Sequence, residues 1–405
     1  MMEDMNLVLN PDLKRLQPYP FERLRDLMAD TQPDTKRALI SMSIGEPQHQ
    51  TPVLIKKALT SSLDQLMNYP ATQGTAALRQ TIADWLIRRY ALSHVDADLQ
   101  VLPVNGTREA LFALAQTIVD RKRHNLPLVV CPNPFYQIYE GAAILAGAEP
   151  RFLNTLASED YRLPLESLSA NEWGRVQLMY VCSPGNPTGK VLGIDDWRQI
   201  FELSEQHGIV VASDECYSEL YFDETKPPLG ALEAAQQLGR SYERLVVFGS
   251  LSKRSNAPGL RSGFVCGDAS ILQQFLRYRT YQGGSMSPPV QMASIAAWRD
   301  EEHVRHNRSL YKEKFSSMMT ELSGAMQARW PDAGIYLWLP TPVSDTLFAQ
   351  RLLCDYNVAV LPGSFLAREA NGINPGAGYV RAALVASHTQ CVEAARCMLE
   401  LLTRL

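Results

Sequence analysis

Apolar positions along this chain keep two different rhythms. Short, near-continuous apolar runs stand at residues 101–104, 128–131, 176–182, 209–212, 245–248 and 262–266. Runs of that kind predict strands buried on both faces. Between them, apolar residues recur at helical spacing: from Gly106 to Asp120, after Pro134, and from about Ile194. Strand, turn and helix repeated in that order predict an α/β domain with a mostly parallel sheet covered by helices.

The two flanks read differently. Pro18 and Pro20 break the chain, and Phe21, Leu24, Leu27 and Met28 then fall at helical spacing. Residues 39–44 predict a short strand ending at Gly45-Glu46-Pro47. A helix is expected after Pro52, which suits a first helical turn. Residues 68–74 form an irregular polar loop, and Leu78, Ile82, Trp85, Leu86 and Arg89 mark another helix. Beyond Gly284 a long helical stretch is predicted from Pro288, past Asp300, to near Trp330. Strands at 334–339, 358–361 and 379–385 follow, with a helix over 345–355 and one closing the chain. This texture predicts a smaller α+β domain. The expected organisation is an N-terminal segment (1–48) packed on that small domain, a large domain (49–295), and the small domain itself (296–405).

Composition narrows the field. A chain of 405 residues exceeds one ordinary core. With 46% hydrophobic and 20% charged residues it reads as a soluble globular protein. A net charge of −4 gives no electrostatic case for nucleic acid or anionic membrane. Seven cysteines without a C-x-x-C predict buried free thiols at Cys131, Cys182, Cys216 and Cys266. No apolar run reaches membrane-spanning length, and Met1 to Met5 show no secretory pattern, so a cytoplasmic protein is expected. His303 and His306 are read as exposed helix residues, and no metal site is expected.

Polar clusters follow the strands, where open α/β sheets bind ligands. The 245–248 run ends in Gly249-Ser250, and Lys253 comes next. Desolvation at the end of a core strand lowers an amine's pKa and makes it nucleophilic. Ser250, Ser252 and Arg261 are anion-binding groups suited to a phosphate. A reactive amine beside a phosphate site points to a Schiff base with pyridoxal phosphate, although the segment alone fits a surface loop better. That cofactor also needs an acid for its ring nitrogen, donors for its 3′-oxygen, a ring to stack on, and a phosphate cradle. Asp214 ends an apolar run, and a dry carboxylate calls for a cation; a helix N-cap is the ordinary alternative. Tyr217 offers a phenol to the 3′-oxygen, or is a half-buried core tyrosine. Asn186, between two prolines, offers an amide of fixed orientation, or lies in a plain tight connection. Gly106-Thr107-Arg108 opens a helix directly after a strand, an anion-binding arrangement. Tyr136 can stack on a planar ring, with Phe135 as its rival. Arg381 lies inside a strand and demands an anion, either an α-carboxylate or an internal salt-bridge partner. Gly45 can place backbone against a ligand, or is a turn.

Taken in order, Tyr69, Gly106-Thr107, Asn186-Pro-Thr-Gly, Asp214-Glu-x-Tyr217, Ser250-x-x-Lys253, Arg261 and Arg381 resemble the fold-type I aminotransferases of class I/II. The resemblance covers nearly the whole chain. It implies a seven-stranded large-domain sheet and pyridoxal phosphate held by Lys253. It implies Asp214 at the pyridine nitrogen, Asn186 and Tyr217 at the 3′-oxygen, and Tyr136 stacked on the ring. Gly106, Thr107, Arg108, Ser250, Ser252 and Arg261 are implied around the phosphate, with Arg381 and Gly45 at the substrate carboxylate. It implies a homodimer in which Tyr69 reaches the partner's site.

Residues 285–291 and 133–139, with Ser-Leu-Ser-Lys253-Arg, resemble bacterial N-succinyldiaminopimelate aminotransferases. That implies exchange of amino groups between N-succinyl-LL-2,6-diaminopimelate and 2-oxoglutarate in lysine biosynthesis. Arg23, Arg254 and Arg279 are equal candidates for the distal succinyl carboxylate. The rivals are another amino-acid aminotransferase, a carbon–sulfur β-lyase on the same fold, and an aminotransferase-like ligand-sensing domain. A nicotinamide oxidoreductase is disfavoured because no G-x-G-x-x-G follows a strand.

Overall fold

The apolar runs become the strands of one large sheet. The computed structural model describes residues 9–33, 36–123 and 126–405; the Met1 to Met5 stretch read for a signal lies outside them. The strands are β1 (Ile40–Ser41), β2 (Val101–Val104), β3 (Leu128–Asn133), β4 (Glu149–Asn154), β5 (Val176–Cys182) and β6 (Val210–Asp214), then β7 (Leu245–Ser250), β8 (Gly263–Gly267), β9 (Tyr336–Pro340), β10 (Val358–Ala359), β11 (Leu361–Pro362) and β12 (Tyr379–Ala383). Seven of them form the large sheet in the order β2-β8-β7-β6-β5-β3-β4. Its strands run parallel except β8, which is antiparallel to both neighbours.

Alternate residues of these strands feed two separate cores. Val101, Val130, Val211 and Val247 pack with helices that include Ala76–Tyr90, Ile194–His207 and Pro288–Arg299. Leu102, Val129, Ala212, Val246 and Phe248 pack on the other face with helices Thr107–Ile118, Ile138–Ala146 and Ala269–Gln282. The last helix was not expected. Only Leu272, Phe275 and Arg279 of it are buried, too sparse a stripe to stand out, yet Asp268 caps its first turn by accepting from the N–H groups of Ser270 and Ile271. Strand β4 was also unforeseen. It is an edge strand, paired only to β3, with Leu153 its one fully buried residue, so Glu149-Pro-Arg-Phe shows no apolar run.

A second, antiparallel sheet has the order β11-β12-β9. Helices Glu302–Glu321, Asp345–Tyr356 and His388–Leu402 close a core around Phe315, Leu337, Leu352, Val380 and Met398. Strand β1 pairs in parallel with β10, which ties the N-terminal segment to this C-terminal layer. The expected 358–361 strand is therefore two short strands serving different partners, β10 with β1 and β11 with β12.

The long helix expected from Pro288 to near Trp330 is also two helices, Pro288–Arg299 and Glu302–Glu321. Asp300 leaves the helix in extended conformation, and its carboxylate accepts from the His303 N–H at 3.0 Å. The His303 ring lies 2.8 Å from the Ser255 hydroxyl and is half-buried, which corrects its reading as an exposed residue. His306 is exposed.

Candidate active site

The parallel register aligns Cys182 of β5 with Asp214 of β6, and Asp214 with Phe248 of β7. Three adjacent carboxyl ends thus open on one edge of the large sheet. A cavity of about 560 Å³ lies there, and β9 and β12 contribute Tyr336 and Arg381 to it.

Lys253 reaches this cavity because β7 ends at Ser250. The Ser250 hydroxyl accepts from the Ser252 N–H at 3.1 Å and starts the single turn Leu251–Arg254. The Lys253 amine donates to the carbonyl of Gly45. Burial brings its pKa down to about 8, with Arg381 and Arg108 pushing the same way against Cys216 and Glu46.

Asp214 is 4% exposed. Burial raises its pKa, opposed by hydrogen bonds from Cys216 and Tyr139. The Tyr139 hydroxyl donates to Oδ2 at 2.8 Å, and the Cys216 N–H donates to Oδ1 at 3.3 Å. Among the described residues no cation pairs with this carboxylate. The segment after it forms turns, so the N-cap alternative falls away.

Arg381 is equally buried. Its Nη1 donates to Asn186 Oδ1 and its Nη2 to the Ser43 carbonyl, both at 2.9 Å. Among the described residues its Nε has no partner, and its guanidinium lies 4.3 Å above the Tyr336 ring. No carboxylate stands within ion-pair distance among the described residues, so the internal salt bridge is not made. Tyr217 places its hydroxyl 2.8 Å from that of Tyr336.

The remaining expected groups fall as follows. Gly106 sits at φ +89° and opens the helix Thr107–Ile118. A Cβ there would collide with the Arg261 guanidinium, so the glycine lets that cation lie against the backbone. Arg261 also donates to the Pro258 carbonyl at 2.9 Å. Thr107, Arg108, Ser250, Ser252, Arg261 and Gly45 all line the cavity. The Arg108 Nε donates to the Tyr136 hydroxyl at 2.7 Å. Tyr136 lines the cavity, whereas Phe135 is buried and stacks on Phe152 at 5.0 Å. Tyr69 is fully exposed and lies outside its own chain's cavity.

Two thiols need correcting. Cys131 and Cys266 are buried, but Cys182 and Cys216 are half-buried and line the cavity, because both stand at strand ends. The three arginines proposed for a distal carboxylate also separate. Arg254 is tied to Glu301 at 2.6 Å and Arg279 to Glu109 at 3.3 Å, and neither lines the cavity. Arg23 lies over the Phe365 ring, also off the lining.

Sequence reading missed Tyr139 and Tyr336. Tyr139 follows Tyr136 by three residues, in the first turn of the helix Ile138–Ala146, and Tyr336 alternates with core-facing Leu337 and Leu339. Together the groups fit pyridoxal phosphate: a buried amine of lowered pKa, a buried acid with no cation among the described residues, a buried arginine with no carboxylate partner among them, and Ser252 and Arg261 on the cavity wall beside the helix that starts at Thr107.

No helix among the described residues is long and apolar enough to cross a membrane. A crystal structure of an aminotransferase from Neisseria meningitidis superposes with a TM-score of 0.94 at 50% identity, covering 97% of this chain and 100% of that one. The LL-diaminopimelate aminotransferase of Dehalococcoides mccartyi is 29% identical over 94% of this chain and 96% of its own. The structure of a probable N-succinyldiaminopimelate aminotransferase from Thermus thermophilus matches with a TM-score of 0.83 at 26% identity, over 94% of this chain and 99% of that one. The sequence profile of the family "Aminotransferase class I and II" matches residues 37–392, and the chain belongs to that family.

Proposed function

We propose that this aminotransferase exchanges amino groups between N-succinyl-LL-2,6-diaminopimelate and 2-oxoglutarate, working as a cytoplasmic homodimer in lysine biosynthesis. The family depends on pyridoxal phosphate, which when bound takes up the substrate's amino nitrogen and draws the Cα electrons into its ring.

The residues' own surroundings support these roles. Lys253 bonds the cofactor and, once displaced, carries the proton from the substrate Cα. A pKa of about 8 leaves a useful share of its amine neutral near neutral pH. Asp214 keeps a proton on the ring nitrogen, since its own charge has no other cation to meet. Asn186 gives its Oδ1 to Arg381, which leaves its amide N–H groups free to donate to the 3′-oxygen beside Tyr217. Gly106, Thr107, Arg108, Ser250, Ser252 and Arg261 hold the phosphate, and Tyr136 covers the ring. Tyr69, fully exposed beside exposed Leu66 and Met67, fits a place across the dimer interface.

The observation that carries the reading is Arg381. A buried guanidinium on the wall of the same cavity as Lys253, with no carboxylate partner among the described residues, suits an α-carboxylate. None of the three arginines weighed for the distal carboxylate lines the cavity, and Arg254 and Arg279 are each paired with a glutamate, so that group must be held by other residues. The Thermus and Dehalococcoides proteins, by their names, point to the diaminopimelate class.

The test is a half-reaction screen. Protein loaded with cofactor is mixed with N-succinyl-LL-2,6-diaminopimelate, LL-diaminopimelate, glutamate, aspartate, alanine and tyrosine, and loss of the visible band is followed. Fast conversion by the succinylated substrate and glutamate is expected. Conversion of free LL-diaminopimelate alone would remove the succinyl substrate. Pyruvate and ammonia from cystathionine would instead favour a β-lyase, and a colourless wild type that binds no cofactor would defeat the central reading.

A further inference from the structure

We propose that Tyr336 on β9 is a positioning residue with two tasks: its hydroxyl directs the phenol of Tyr217, and its ring is the platform on which Arg381 lies. The inference rests on the reading above, in which Tyr217 serves the cofactor's 3′-oxygen and Arg381 the substrate carboxylate.

The hydroxyl task follows from proton counting. The two phenol oxygens are 2.8 Å apart, and both side chains are buried. A phenol has one proton to give and two lone pairs to receive with. Tyr217 is the one hydrogen-bond partner of the Tyr336 hydroxyl among the described residues. Its surroundings are closed at Gly45, where even a Cβ would collide with that hydroxyl. When Tyr336 donates to Tyr217, the Tyr217 proton is left for the cavity. A hydroxyl that receives one hydrogen bond gives a stronger one in turn. Tyr336 thus both points and strengthens the Tyr217 donor.

The ring task follows from Arg381. Its guanidinium lies 4.3 Å above the Tyr336 centroid, within cation–π range. Asn186 and Ser43 hold its Nη1 and Nη2 from other directions. The ring therefore fixes the plane of a fork whose orientation a carboxylate must match. One side chain serves the substrate end of the site and the cofactor end together.

Two variants separate the tasks in the cofactor-loaded enzyme. Tyr336→Phe removes the hydroxyl and keeps the ring, so the core around it stays filled. Tyr336→Leu removes both. The first readout is the pH titration of the bound cofactor's visible absorption. Donation by Tyr217 favours negative charge on the 3′-oxygen, which is greatest once the nitrogen shared with Lys253 has lost its proton. Weakening that donor raises the midpoint, by roughly 0.5–1 pH unit for one hydrogen bond. The second readout is the affinity of glutarate, a dicarboxylate with no amino or oxo group.

Tyr336→Phe is expected to raise the midpoint while holding glutarate affinity within about threefold. Tyr336→Leu should raise the midpoint equally and weaken glutarate roughly 5- to 30-fold, the range of a desolvated cation–π contact. In a Tyr217→Phe background, Tyr336→Phe should add no further change to the midpoint. An unmoved midpoint in Tyr336→Phe overturns the hydroxyl task. Equal glutarate affinity in the Phe and Leu variants overturns the ring task. A wild type that never shows a visible band defeats the parent reading, and this inference with it, a result distinct from either.

Discussion

Replacing Lys253 with methionine removes a buried amine and keeps its length. In the folded chain burial lowers the amine's pKa from 10.5 to about 8. That difference is a cost of about 3 kcal/mol for carrying the ammonium in the fold. Its hydrogen bond to the Gly45 carbonyl returns about 1 kcal/mol. Lys253→Met is therefore expected to be more stable than wild type by about 2 kcal/mol at pH 7, with both proteins freed of cofactor. The sign then changes with pH in a defined way. Below pH 8 the lysine is charged in both the folded and the unfolded chain, and the folded chain bears the full cost. From pH 8 to 10.5 the folded lysine is neutral while the unfolded one still binds a proton, so wild-type stability rises toward that of the variant. Above pH 10.5 the charge no longer contributes. Urea unfolding of both proteins at pH 6.5, 8 and 10.5, followed by tryptophan fluorescence, measures the gap. Taking the difference cancels other groups that titrate in both. A gap that stays constant across that range, or a wild type more stable than the variant at pH 6.5, would refute the buried-amine account.

Arg381→Ala should cut kcat/KM for amino-acid substrates by roughly 30-fold or more, because it leaves a carboxylate without its buried partner; the cofactor stays bound, and unchanged turnover would remove Arg381 from the site. Gly106→Ala should weaken cofactor retention in equilibrium dialysis, because its Cβ displaces Arg261 and its φ of +89° disfavours a side chain; the apo-protein should lose about 1–3 kcal/mol. Mixing inactive Lys253→Ala with inactive Tyr69→Ala protein should restore activity in hybrid dimers, since one of their two sites has both residues; no recovery after subunit exchange would place Tyr69 elsewhere.

Much of this was open to sequence reading because parallel strands buried on both faces leave unbroken apolar runs, and their ends are where a polar cluster stands out. Asp214 and Lys253 were found that way. Strand β4 was not, since an edge strand half-open to solvent keeps Glu149 and Arg151. The break at Asp300 was hidden because a helical period persists on both sides of it, and only the cap on His303 marks the change. Ambiguous residues were settled by neighbours far away in the chain. Phe135 and Tyr136 look alike in sequence, but Phe152 of β4 claims the first for the core. Arg254 and Arg279 look available in the sequence until Glu301 and Glu109 pair with them.

The sequence by itself determined the alternation of strands and helices, the order of the polar clusters, and the chemistry each residue type can perform. Those are local properties, set by burial period and functional group. Tertiary structure alone decided which groups meet. Tyr217 and Tyr336 stand 119 positions apart, yet their hydroxyls meet at 2.8 Å where residues of the two sheets line one cavity. Arg381 acquires Asn186 across 195 positions, and among the described residues no carboxylate is brought within ion-pair distance of it. Lys253 is a lysine anywhere in the chain; it becomes a weakened base only where packing excludes water around it.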